Sequence, residues 1–159
     1  MTVDRLLVAV FASPVADVLV RWGAELGFRT IVVEPDGERV PAGTPDLVVR
    51  SFAELDRELA EGSADVVVTD HHRDELGELL RDALDRPARW IGVMGNPRHE
   101  GPHIAALTAL GVPETEIARV HRPIGLDIGS KAPAEIAVST LAGLLADRNG
   151  RSGGFAHGG

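Results

Sequence analysis

The stretch VAVFASPVADVLV, residues 8–20, decides how the rest of the chain is read. A continuous apolar run enters it and an amphipathic run leaves it, as at the strand–turn–helix opening of a nucleotide-binding α/β domain. The turn itself holds Phe11, Ala12, Ser13 and Pro14, with no glycine. A dinucleotide turn needs glycine for the tight bend, for the approach of backbone to a pyrophosphate, and for helix–strand packing. Phe11, Ser13 and Ala16 occupy those places, and only Ala16 is a usual substitute. Phe11 should resist a positive φ. The Ser13 side chain should crowd a pyrophosphate, although its hydroxyl could donate to a phosphate. Pro14 removes one N–H from the first helical turn, where anions bind. The turn is expected to keep its path, to pack Phe11 against neighbouring loops, and to bind no NAD(P) in the usual way.

Outward from this turn, short apolar runs alternate with helical stretches. Strands are expected at 6–10, 30–33, 47–49, 66–69 and 90–93, all rich in Val and Ile and unbroken by polar residues. Such runs suit strands covered on both faces. Between them, Val15, Leu19, Trp22 and Leu26 share a helix face that Gly27 closes. Ser51 and Glu54 form a capping box ahead of Phe52, Leu55 and Leu59. Leu76, Leu79, Leu80, Ala83 and Leu84 mark a third helix, and Ile104, Leu107 and Leu110 a fourth. Ile136, Thr140, Leu141, Leu144 and Leu145 mark the last, with Pro133 in its first turn. The alternation implies a doubly wound, mostly parallel, three-layer Rossmann-like sheet as one domain over 1–149. The Gly-rich tail 150–159 reads as disordered.

Composition narrows the function. Twenty-four acidic residues against 16 basic ones give a formal charge of −8, which argues against broad nucleic-acid or anionic-membrane binding. The absence of cysteine removes disulfides, thiolate metal sites and a persulfide carried on this chain. The first residues read as a strand rather than a signal peptide, and no apolar run would span a bilayer, so a cytoplasmic location is expected.

Ligands of open α/β sheets lie at the carboxyl ends of the strands, which points to the irregular segments Gly95–Gly101 and Arg122–Ala132. Gly95, Asn96 and Arg98 combine backbone N–H groups with a guanidinium suited to phosphate. Within Pro123–Gly129, Gly125 and Gly129 are expected in conformations other residues avoid. Asp127, between Leu126 and Ile128, reads either as a buried loop anchor or as a ligand contact. Glu34, ending the second strand, stands where an acid would hold a ribose hydroxyl, or simply ends a strand. Asp70, His71 and His72 follow the fourth strand. Adjacent residues seldom aim at one centre, so they read as a solvated, ligand-facing loop rather than a metal site. His99 and His103, one helical turn apart, read as surface polar residues. No nucleophile–base pair stands out, and no catalytic residue is assigned.

Four segments carry a family resemblance. RVHRPIGLDIGSKAPAEIAVSTLAGLLADR (119–148), VVVTDHHRDEL (66–76), PARWIGVMGNPRH (87–99) and LGFRTIVVEPDGER (26–39) resemble the Rossmann domain of the XdhC/CoxI family. Those proteins are accessory factors for xanthine dehydrogenase and related molybdenum hydroxylases. The resemblance covers nearly the whole chain to about Asn149 and is strongest over 119–140. It implies a protein that binds the molybdenum cofactor (molybdopterin), protects it and helps deliver it to an apo-hydroxylase, without being a metabolic enzyme itself. Many members also carry an N-terminal domain with a cysteine, which a separate polypeptide would supply here. Three places depart from the family pattern. Its Gly-Ala-Gly-His-Val-Ala turn is Phe11-Ala12-Ser13-Pro14-Val15-Ala16. Its Gly-Ser-Arg-Arg is Gly95-Asn96-Pro97-Arg98, and its Thr-Pro-Glu-Glu is Ala132-Pro133-Ala134-Glu135. The other functions compatible with the sequence are an NAD(P)-binding oxidoreductase and a protein–protein adaptor that has lost its ligand. Pairing into a homodimer is a further expectation for a short chain with apolar surface to cover.

Overall fold

The structure, a computed structural model, describes residues 3–95 and 100–155. In chain order these form β1 (Arg5–Val10), α1 (Pro14–Glu25), β2 (Arg29–Val33), β3 (Leu47–Val49), α2 (Asp56–Glu61), β4 (Ser63–Val68), α3 (Leu76–Leu84), β5 (Trp90–Val93), α4 (Pro102–Ala109), α5 (Glu114–Ile117), β6 (Val120–His121) and α6 (Pro133–Arg148). Among the described residues six strands make one sheet in the order β3-β2-β1-β4-β5-β6. All its pairings are parallel, with Val10 of β1 level with Val33 of β2 and Val68 of β4. The chain winds outward from β1 to β3, then returns to β4 and winds the other way. The strand order reverses between β1 and β4, the place where such sheets open a crevice for ligands.

The unbroken apolar strands follow from cover on both faces. Along β1, Leu6, Val8 and Val10 pack with Phe52, Leu55 and Leu80. Leu7 points the other way, toward Leu19, Leu141 and Leu144. Alternate side chains thus enter opposite layers, and both layers are dry. At the amino ends of the strands, Asp65 is wholly buried and accepts from Arg89 Nε at 2.6 Å and Arg148 Nε at 2.8 Å. This pairing fastens the last turn of α6 to the sheet.

Several local expectations shift. The buried face of α1 is Ala16, Leu19, Val20 and Gly23. Trp22 and Leu26 are more than a third exposed, because small residues let α1 lie close to the sheet. A methyl on Gly23 would sit 2.7 Å from Leu7 Cδ2. The helix expected from Ser51 opens as a 3-10 turn over Phe52–Leu55, with Glu54 accepting from the N–H groups of Arg50 and Ser51. In α4 only His103 and Leu107 are buried, and Ile104 and Leu110 face outward. Strand β4 begins at Ser63 and ends before Thr69, whose hydroxyl serves the neighbouring turn. The short α5 and β6 carry too few residues for a periodic signal. Beyond α6, the Arg151 N–H donates to Ala146 O at 2.8 Å.

Candidate functional site

Phe11 follows β1 directly with φ +76°, the backbone shape a dinucleotide turn takes from glycine. This corrects the expectation that a phenylalanine would avoid it. Left-handed backbone at such a residue costs of order 1–3 kcal/mol. Burial of the ring, which is fully enclosed, offsets that by about 1.5–3 kcal/mol. The Phe11 N–H donates to Val33 O at 2.8 Å, and the Thr69 hydroxyl donates to Phe11 O at 3.1 Å. Ser13 caps α1, its Oγ accepting from the Ala16 N–H at 3.1 Å and donating to Thr69 Oγ1 at 2.9 Å. The hydroxyl expected to reach a phosphate therefore serves the turn.

Glu34 is buried with no exposed surface. Its Oε1 accepts from the Ala12 N–H at 3.0 Å and Arg73 Nη1 at 2.9 Å. Its Oε2 accepts from the Asp36 N–H at 2.9 Å and Arg73 Nη2 at 2.8 Å. Burial pushes this carboxyl up, but the Arg73 fork and the two N–H groups outweigh it and hold it below its ordinary value. Arg73, its own proton held more firmly by Glu34 and Glu75, lies 4.3 Å above the Phe11 ring. The acid that would hold a ribose is thus engaged on both oxygens by groups of the same chain. Arg73 lies within the quoted segment 66–76 but was not singled out. The strand order explains its reach: a loop leaving β4 crosses the end of β1 to the end of β2. A buried acid there requires a cation, and Arg73 is the first one after β4.

The other half of the strand-end edge is built differently. Asp70 Oδ1 accepts from the His72 N–H at 2.9 Å, a local turn. His71 hydrogen-bonds to the backbone of Met94, just past β5. Burial, then the charges of His72 and Arg122, hold its imidazole below the ordinary value against the opposing pull of Met94 and Asp70. His103 is 5% exposed, which corrects its reading as a surface residue. Its Nδ1 is buried and finds no hydrogen-bond partner among the described residues. Burial first, and Arg122 second, lower its pKa. Arg122 follows β6 and runs between two glycines. A methyl on Gly95 would collide with its Nε and lie 2.6 Å from its Nη2, and one on Gly101 would lie 2.9 Å from its Cδ and 2.5 Å from His103 Cε1. Gly95 and Gly101 thus let the Arg122 side chain lie against the backbone; Asn96, Arg98 and His99 lie outside the described residues. Sequence periodicity hid His103, because α4 is apolar on every side and its buried face cannot be told from its exposed one.

The segment Pro123–Lys131 divides in two. Gly125 has φ +87°, and a side chain there would meet Ser139 Oγ at 2.6 Å. Ser139 Oγ donates to Leu126 O at 2.7 Å, pinning this part to α6. Asp127, Ile128, Gly129 and Lys131 are exposed, and Gly129, with φ +66°, has open space around it. Asp127 forms no hydrogen bond among the described residues, so it is presented to solvent and does not anchor the loop. Among the described residues no three His, Asp or Glu converge as metal ligands. No described helix is long and apolar enough to cross a membrane.

The pattern of the XdhC Rossmann domain matches residues 7–144, nearly all of this sheet and its helices. The chain belongs to that family. As an XdhC domain it is 34% identical over 90 residues to the uncharacterised protein YqeB of Escherichia coli K12, a match covering 57% of this chain and 16% of YqeB. It also superposes on the crystal structure of a xanthine dehydrogenase from Bacillus halodurans, with a TM-score of 0.70 and 24% identity, covering 98% of this chain and 45% of that one. That likeness establishes the fold. This XdhC domain spans less than half the length of either protein. Family membership relates it to the accessory proteins of xanthine dehydrogenase-type enzymes.

Proposed function

We propose that this XdhC domain is a cytoplasmic accessory protein that binds the molybdenum cofactor and helps deliver it to an apo-form of xanthine dehydrogenase or a related molybdenum hydroxylase. The observation that carries this reading is the asymmetry of the strand-end edge. Above β1 and β2, Glu34, Arg73 and Phe11 satisfy one another and leave an NAD(P) ribose nothing to bind. Above β4, β5 and β6, histidine and arginine side chains pack on glycine backbone beside an exposed loop. A cofactor made of a flat pterin with a phosphate suits that second half: cationic donors for the anion, backbone and exposed loop for the ring.

The residues that would hold it are Gly95, Asn96 and Arg98 on one side and the segment from Gly125 through Asp127 and Gly129 to Lys131 on the other. His71 and Asp70 line the β4 end. The cofactor supplies the redox chemistry of the recipient enzyme, and this chain supplies binding and release. The partner is then the apo-hydroxylase. The test is cofactor retention on the purified protein, and reactivation of an apo-hydroxylase by wild type, Arg98→Ala and Asp127→Ala. Retention with reactivation supports the reading. Reactivation without retention replaces it with the adaptor reading.

A further inference from the structure

We propose that His71, His103 and Arg122 form, with the amino end of α4, a subsite for a tetrahedral oxyanion. The proposal deepens the reading above, since it takes the anion to be the phosphate of the cofactor, but the site itself rests on its own geometry. Three chain segments converge there: the loop after β4, the end of β6, and the first turn of α4. Gly95 and Gly101 carry no side chains where any Cβ would strike Arg122, and at Gly101 also His103. Both side chains therefore lie directly against glycine backbone. His103 Nδ1 is buried there, against Gly101, with no partner among the described residues. A buried polar atom without a partner costs stability, and ligand sites are where chains retain one. The eight-residue helix α4 starts at the same place, with Gly101 as its N-cap and no side chain capping it. Pro102 brings no N–H and the Ile104 N–H donates to Gly101 O, so the helix adds its dipole to the preference for an anion.

The charges define the occupant. His103 faces Arg122 from the end of β6. His71 faces Arg122, and His72 and Asp70 of its own loop. Arg122 is the fixed cation and Asp70 the single carboxylate, and both imidazoles are held below their ordinary value, by burial first, then by His72 and Arg122 at His71 and by Arg122 at His103. A dianion reverses that balance: it attracts a proton onto an imidazole that then donates to it. Binding should therefore take up a proton and tighten as pH falls.

Sulfate is the probe, because its charge stays fixed across the range in which histidine titrates. Calorimetric titration of the whole chain at about pH 6 and about pH 8 should show one site, at least about fivefold tighter at the lower pH. Arg122→Gln should weaken it by about ten- to a hundredfold. His103→Phe keeps the ring bulk and removes the nitrogens, and should reduce both the affinity at about pH 6 and the dependence on pH. His103→Gln serves if the phenylalanine variant does not fold, with circular dichroism as the check. Absence of saturable binding at about 100 mM sulfate, or equal binding by Arg122→Gln, overturns the subsite. A molybdopterin arm separates the two claims. If sulfate binds as described and molybdopterin does not, the subsite stands and the delivery reading fails. If molybdopterin binds and sulfate neither binds nor competes with it, the subsite fails and the delivery reading stands.

Discussion

Arg73 and Glu34 meet as a two-pronged pair inside the ligand edge of the sheet, with contacts of 2.9 and 2.8 Å. The side chain of Glu34 is fully buried and that of Arg73 is 9% exposed. The pair joins the end of β2 to the loop after β4, beside the turn that follows β1, and so ties that turn to both neighbouring strands.

Removing the cation should be costly. Arg73→Met leaves a buried carboxylate without its counter-charge, a loss of about 3–5 kcal/mol in urea denaturation at neutral pH. The sign of the pH dependence follows from Glu34. In the wild type its pKa lies below the ordinary carboxylate value, so its contribution is present above that value and is lost as pH falls through the folded-state one. In Arg73→Met the Ala12 and Asp36 N–H groups remain, but burial, the largest influence, is no longer offset by the guanidinium and raises the pKa, so acid relieves the variant by protonating Glu34. The gap between the two proteins should narrow on acidification to about pH 4. A gap that widened would show that Arg73 acts through something other than this carboxylate.

Phe11 should respond in a way ordinary core positions do not. Phe11→Ala loses the buried ring and keeps the positive φ, at about 3–5 kcal/mol. Phe11→Gly loses the same ring but releases the backbone, so it should be the more stable of the two by about 1 kcal/mol. Paired thermal melts check the order, which is the reverse of that at a residue in a regular strand.

The two glycines of the 125–129 segment should separate. Gly125→Ala forces a Cβ against Ser139 and the backbone of Thr140, and should cost about 2–4 kcal/mol. Gly129→Ala meets no neighbour, and only its φ resists, so about 1 kcal/mol is expected. Melting temperatures of both variants decide this.

Asp127→Ala should leave stability within about 0.5 kcal/mol, because the side chain is exposed and forms no hydrogen bond among the described residues. Its effect should appear in cofactor retention alone. A clear loss of stability in this variant would return Asp127 to the role of loop anchor that its place between Leu126 and Ile128 first suggested.

The fold was legible because parallel strands covered on both faces leave unbroken runs such as VVV at 66–68, and because Gly27 and Pro133 mark helix ends. What escaped was set by contacts across the sheet. The buried face of α1 turned on the closeness that Gly23 allows, which periodicity of large residues does not register. The partner of Glu34 lies 39 residues away, joined only by strand order. His103 looked like a surface residue because α4 has no polar side to contrast with. Ser13 and Glu34 were read as positions that could meet a ligand, yet their hydrogen bonds run inward, which only the positions of Thr69 and Arg73 reveal.

The most direct test of the account compares ligand-dependent melting with molybdopterin, NAD, NADP and FAD. A ligand at a hundredfold its dissociation constant adds about 2.7 kcal/mol, roughly 5–10 °C for a domain of this size. Molybdopterin should raise the melting temperature by that order while the three nucleotides leave it unchanged. A rise with NAD or NADP and none with molybdopterin would contradict the account, because it would require the Glu34–Arg73 pair to open for a ribose.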